Sequence, residues 1–146
     1  MGVSPSGATG AMQTATCEIG GRFSRCHNEA VQSCQYCGRK FCRAHTHFIG
    51  GHEAVCSRKQ CRAKHEDVAR HLAYRERLTE RNTYGLCGVE GCDEAPLRAT
   101  CSRCKGLFCE GHVTERMYPT YDGYRSVDRP AAVCPHCWAR RKIWRM

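Results

Sequence analysis

Two runs in this chain share one shape: Cys34-x2-Cys37-x4-Cys42-x2-His45 and, 67 positions later, Cys101-x2-Cys104-x4-Cys109-x2-His112. A two-residue gap lets one short turn aim two side chains at a single tetrahedral ion, a spacing that a disulfide framework does not require. A histidine at the last position can replace cysteine toward a metal but cannot enter a disulfide. Phe41, just before the third cysteine, recurs as Phe108. Chemistry and repetition therefore both point to metal, and zinc is the expected ion.

The match extends beyond these runs. Cys26-His-Asn-Glu29-Ala30 answers Cys92-Asp-Glu94-Ala95, Ala54-Val55-Cys56 answers Ala132-Val133-Cys134, and Cys61 answers Cys137. With Cys17 and Cys87 opening each half, the chain reads as an internal duplication. Each half owns seven cysteines and one histidine, enough for two four-ligand zinc ions, and all 14 cysteines are used. Such economy suits a chain this poor in aliphatic side chains, because small domains without an ordinary core are held by disulfides or metals. A coreless disordered chain and a large α/β enzyme are both excluded by the same composition.

Eight ligands in four pairs can close consecutively or crosswise. Only four residues separate the second pair from the third, a tightness typical of cross-braced sites in which adjacent pairs serve different ions. Crosswise closure assigns Cys17, Cys26, Cys42 and His45 to one zinc and Cys34, Cys37, Cys56 and Cys61 to the next. Cys87, Cys92, Cys109 and His112 then hold a third, and Cys101, Cys104, Cys134 and Cys137 a fourth. Consecutive closure is the alternative. His47 and His52 also lie close by, and His52 could stand in for a ligand of the Cys56/Cys61 pair.

The stretch from Ala30 to His45 resembles the centre of a B-box zinc finger and is similar to an AN1-type finger, with its aromatic before Cys42. Cys134-Pro135-His136-Cys137 resembles the closing knuckle of a RING domain. These resemblances imply small cross-braced, two-zinc modules that bind other proteins, often around ubiquitin.

Between the halves, residues from about 57 to 81 contain neither Gly nor Pro and read as a helix with a thin apolar stripe of Val68, Leu72, Tyr74 and Leu78. Charges occupy nearly every other position, which predicts a charged spacer with Asn82 to Gly85 as its stop. His27, His65, His71 and His136 read as solvated. In the second half an 11-residue insertion between His112 and Cys134 contains Tyr121-Asp122-Gly123-Tyr124. Asp-Gly between tyrosines predicts a two-residue hairpin turn with Tyr121 and Tyr124 paired across the strands. Gly20-Gly21 and Gly50-Gly51 predict further hairpin turns. The tail mixes aromatics and cations in Trp138, Arg140, Arg141 and Trp144.

The formal net charge of +9 invites a nucleic-acid reading. Zinc-bound cysteines are thiolates, however, and 14 thiolates with four divalent ions lower the total by six, to about +3. Basic patches survive on the helix and tail. Catalysis has little to build on: filled zinc sites leave no open position, no phosphate loop is present, and no cysteine is spare. There is no apolar run long enough to span a membrane. Residues 1–16 lack the pattern of a secretory signal, although Met1-Gly2 opens a loose myristoylation pattern.

The sequence thus predicts a small zinc-stabilised α+β protein of two duplicated, treble-clef-like cross-brace modules. Its expected parts are a disordered segment 1–16, module 17–61, helical linker 62–86, module 87–137 and a basic aromatic tail 138–146. The expected function is a non-enzymatic, cytoplasmic adaptor (or nuclear, in a eukaryotic cell) that grips another protein. Tyr121, Tyr124, Trp138, Arg140, Arg141 and Trp144 would be its contacts. A nucleic-acid-binding zinc finger and a RING-like ubiquitin-ligase scaffold are the alternatives.

Overall fold

A computed structural model describes residues 15–144. The chain divides into two compact units, Met1–Ala63 and Lys64–Met146. The myristoylation pattern, most of the segment expected to be disordered, and the last two residues of the tail lie outside the described residues. Of that first segment, Thr16 bridges to Glu29, and the Ala30 amide donates to the Ala15 carbonyl at 2.7 Å.

In the first unit, β1 (Gln32–Ser33) and β2 (Lys40–Phe41) form a short antiparallel ladder around the Cys34–Cys37 turn. A 3-10 turn over Arg43–His45 leads into β3 (Thr46–Gly50), which pairs with β4 (Glu53–Cys56) across Gly51 and His52. Gly51 supplies the left-handed backbone of that turn, with φ 57°. The earlier turn expected at Gly20-Gly21 is instead closed by Gly21 pairing with Ser24, which leaves Arg22 and Phe23 at the corner. A side chain at Gly20 would meet the Ser24 carbonyl, so the glycine serves a close approach. Ile19, Phe41 and Val55 join the cysteines in one buried cluster.

Helix α1 (Lys59–Thr83) starts in the first unit and continues into the second. There follow β5 (Ala99–Thr100) with β6 (Leu107–Phe108), a 3-10 turn over Glu110–His112, β7 (Thr114–Tyr121) with β8 (Ser126–Val133), and α2 (Pro135–Trp144). The ladder pairs Gln32 with Phe41 and Ala99 with Phe108, so the two small sheets share their register 67 positions apart. Leu78, Phe108, Tyr118 and Val133 form the apolar part of the second core, together with six of its cysteines.

The helix keeps Tyr74 and Leu78 of the expected apolar stripe against the core and departs from it at Leu72. Leu72 is 59% exposed, whereas the inward seam runs Asp67, His71, Tyr74 and Leu78. That spacing lies along one helix face, but two of the four residues are polar, which hydrophobicity alone cannot reveal. Leu78 fits against Gly88 and Gly106, where any β-carbon would collide with it. Gly85, at φ 71°, ends the helix, and the Leu86 amide donates back to the Arg81 carbonyl.

The second hairpin also differs from expectation. Tyr121 pairs with Ser126, and Tyr124 stands in a four-residue loop rather than across a strand. Asp122 explains the difference: its Oδ1 accepts from both the Tyr124 and Arg125 amides at 2.9 Å. An aspartate that captures two amides widens the turn beyond the minimal Asp-Gly hairpin.

Candidate metal centres

Among the described residues, sixteen potential ligand atoms gather in four groups, and within each group all four lie within 4.8 Å of one another. The groups are Cys17/Cys26/Cys42/His45, Cys34/Cys37/Cys56/Cys61, Cys87/Cys92/Cys109/His112 and Cys101/Cys104/Cys134/Cys137. Adjacent pairs along the chain thus fall in different groups. His52, which could have replaced a ligand, sits exposed in the β3–β4 turn, and Cys61 stands with Cys56.

Local structure explains how each ligand is aimed. After Cys34 the chain reverses so that the Gly38 amide donates to the Cys34 carbonyl at 2.8 Å; after Cys101 the Lys105 amide does the same at 2.9 Å. The histidines arrive through the 3-10 turns, with the His45 amide bonded to Cys42 and the His112 amide to Cys109. Cys56 is the last residue of β4 and Cys134 directly follows β8, and Cys61 and Cys137 each occupy the third residue of a helix. The extra two residues between Cys56 and Cys61 are taken up before α1 begins.

The separations fit a tetrahedral ion. Zinc–sulfur bonds of about 2.3 Å put two ligand sulfurs about 3.8 Å apart, and a sulfur and a nitrogen about 3.6 Å apart. Cys26 and Cys42 are 3.7 Å apart, Cys37 and Cys56 3.8 Å, Cys92 and Cys109 3.8 Å, and Cys104 and Cys134 3.9 Å. Both histidines present Nδ1, at 3.3 Å from Cys42 and 3.2 Å from Cys109. These distances are far beyond a disulfide bond, and every cysteine is free. The four groups are compatible with zinc or another metal ion of similar preference.

Protein donors prepare sulfur to carry charge. The Cys109 amide points at Cys87 Sγ at 3.3 Å, and the Cys134 amide at Cys101 Sγ at 3.4 Å. Burial pushes the Cys87 thiol up, but the Val89 and Cys109 amides outweigh it and bring it down to about 7. At Cys34 burial is likewise outweighed by amides of Cys56, Cys37 and Tyr36, giving about 7. Cys56, by contrast, is driven by burial to about 11. Neighbouring thiols with such different values describe clusters in which one sulfur ionises readily and a cation must draw the remaining protons off.

Two groups around the last cluster were not legible as site residues. Tyr74 places its hydroxyl 3.3 Å from Cys134 Sγ, and its ring stacks on His136 at 3.7 Å between centroids. His71 stacks in turn on His136 and lies 3.1 Å from it, Nδ1 to Nε2. Neither histidine is therefore solvated as its sequence position suggested. Burial holds His136 down, to about 4. A helix residue 60 positions before its sulfur partner leaves no spacing signature to read.

The candidate contact residues separate. Tyr121 and Tyr124 are 66% and 94% exposed. Arg140 donates from Nε and Nη2 to the buried Asp67 carboxylate, both at 2.8 Å, and Trp144 donates from its indole at 2.7 Å. Trp138 packs against the second core, with Arg141 over its ring. Arg140 and Trp144 thus already have internal partners.

Comparison of the chain with protein-family models, curated proteins and solved structures finds no match. No helix among the described residues is long and apolar enough to cross a membrane.

Proposed function

We propose that each of the four clusters holds one zinc ion in a closed structural site, forming two cross-braced, duplicated modules, and that the chain is a non-enzymatic adaptor. The carrying observation is the grouping itself: four protein ligands converge on each point, and all 14 cysteines are taken. Sulfur-rich tetrahedra suit zinc, and four protein ligands leave none of the open coordination that catalytic zinc uses. Closed sites of this kind, formally −2 with four thiolates and −1 with three thiolates and a histidine, stabilise a fold and present its surface to a partner.

The aromatic tip of the second hairpin supports a protein partner. Tyr121 and Tyr124 lie on an insertion that the four clusters do not need, and exposed aromatics are frequent interface anchors. Elemental analysis of purified protein should give four zinc ions per chain, and chelation should unfold it. About two zinc ions with several disulfides by mass would overturn the metal reading. A protein captured by the zinc-loaded chain in the presence of nuclease should bind Tyr121→Ala/Tyr124→Ala at least about 2 kcal/mol more weakly.

A further inference from the structure

The two faces of the β7–β8 hairpin carry opposite charge. Residues opposite one another in an antiparallel pair share a face, so Arg116 with Ala131 and Tyr118 with Arg129 lie on one side. Glu115 and Asp128, in the alternate register, lie on the other. The first face is extended by two arginines from outside the hairpin. Arg103 lies 4.7 Å from the centre of the Tyr118 ring; Arg116 and Arg141 lie 4.8 and 3.4 Å from that of Trp138.

Three of these arginines, Arg103, Arg116 and Arg129, come from residues 87–137, which sum to a formal charge of −1, so their concentration there is not a by-product of a basic segment; Arg141 is added from the basic tail. Two guanidiniums on one indole are within about 8 Å of each other, no more than a Debye length at physiological salt. None of the four arginines pairs with a described carboxylate; among the described residues the ion pair shown is Arg140 with Asp67. Charge balance against a zinc–thiolate site accounts for Arg103, which lies between Cys101 and Cys104, but not for Arg116 and Arg129 on the strands. Stacking on Tyr118 and Trp138 holds three of the guanidiniums in place, and so lowers the ordering cost of presenting them to an anion.

We propose that this face, formed by Arg103, Arg116, Arg129 and Arg141 around Tyr118 and Trp138, binds the phosphate backbone of a nucleic acid. Guanidiniums suit phosphate oxygens in both geometry and charge. The indole is covered by guanidinium rather than open to a base, so the contact reads backbone and not sequence. The inference goes beyond the adaptor reading and does not depend on what the tyrosine tip contacts, since Tyr121 falls in the opposite register to Arg116.

The test is fluorescence anisotropy of the zinc-loaded full chain with labelled 20-nucleotide oligomers of mixed sequence, single-stranded and duplex, across a salt series. Affinity should fall steeply with salt on at least one of the two. Arg129→Gln, which breaks no stack, should reduce the slope of log affinity against log salt by about 0.7 to 0.9. The variant with all four arginines changed to Gln should reduce it by about three to four such contacts' worth. Arg116→Lys/Arg129→Lys should retain most of the slope, and Arg75→Gln on α1 should leave it unchanged. Zinc content, measured on each variant, should stay at four. The proposal is overturned if Arg129→Gln leaves the slope unaltered. It is also overturned if Arg116→Lys/Arg129→Lys loses binding as fully as the Gln changes with zinc intact, which would make the arginines structural cover. Equal competition by polyglutamate at matched charge would assign the face to an acidic protein instead. Tyr121→Ala/Tyr124→Ala should bind oligomers normally, so failure of the adaptor reading and failure of this one are distinguishable.

Discussion

Gly38 and Lys105 occupy equivalent places one residue past their knuckles, with φ 72° and 63°. Left-handed backbone costs a residue with a β-carbon roughly 1–2 kcal/mol, whereas glycine enters it freely. No atom lies within 4 Å of a β-carbon placed at Gly38, so the backbone alone would oppose a side chain there. Lys105 therefore bears strain that its counterpart avoids, held in place by its amide bond to Cys101 and by the sulfur cluster. Replacing Lys105 by Gly should stabilise the zinc-loaded protein by about 0.5–1 kcal/mol, the strain relieved exceeding the added chain entropy. Gly38→Ala should do the reverse, losing about 1 kcal/mol. Denaturant titrations of both variants decide this, and a destabilised Lys105→Gly would mean that the knuckle gains something from the lysine that the backbone does not show. The cysteines and histidines of the four clusters were readable because all their pairs but Cys17/Cys26 are encoded within a few residues. Tyr74 and His136 were not, because their contact depends on a helix meeting a knuckle far along the chain.

Helix α1 illustrates how an element can be legible in extent yet not in role. The absence of Gly and Pro marked its length, and Gly85 its end. Its docking seam was hidden because Asp67 and Arg140, 73 positions apart, form a polar contact that hydropathy reads as solvent. Asp67 is only 4% exposed, and it accepts from Arg140 and Trp144 at once. Burial alone would raise its carboxyl, but these hydrogen bonds and the Arg140 charge outweigh it and hold the group below the ordinary value of 3.8. A carboxyl depressed in the folded state stabilises above its unfolded pKa, and that contribution is lost as pH falls through the folded value. Asp67→Asn should therefore cost about 1–2 kcal/mol at neutral pH. The gap from the parent chain should hold from about pH 7 to 5 and shrink below about 4. Protonation of metal ligands acts on both chains alike, so the difference isolates the clamp. The β7–β8 turn was missed for a related reason: Asp-Gly signals a tight turn, but Asp122 uses its carboxylate on two amides and moves Tyr124 off the strand.

With zinc in each cluster as proposed, the question for the whole molecule is how many cooperative parts the metal would make. The two buried clusters share no residue: one is built around Phe41, Ile19 and Val55, the other around Phe108, Leu78 and Val133. Within each unit, the two ligand groups alternate along the chain, so no segment can leave one group without disturbing the other. Phe41 and Phe108 are fully buried beside a ligand cysteine in each unit. The repetition of the ligands was plain in the sequence. The use of each phenylalanine as the apolar centre between two clusters was only hinted at by its recurrence, because one aromatic carries no periodic pattern. Removing such a ring costs about 3–5 kcal/mol, a large share of what a small domain has above its unfolded state. Phe41→Ala should therefore release both ions of the first unit together. Elemental analysis after competition with a moderate chelator should give two zinc ions per chain, not three. Cobalt substitution of that variant should then show one site with four sulfurs and one with three sulfurs and a nitrogen, the pair carried by the second unit. A remainder of three ions would mean that the two sites of a unit are held separately and that the alternation of ligands does not couple them. Complete loss would mean that the two units do not hold metal independently.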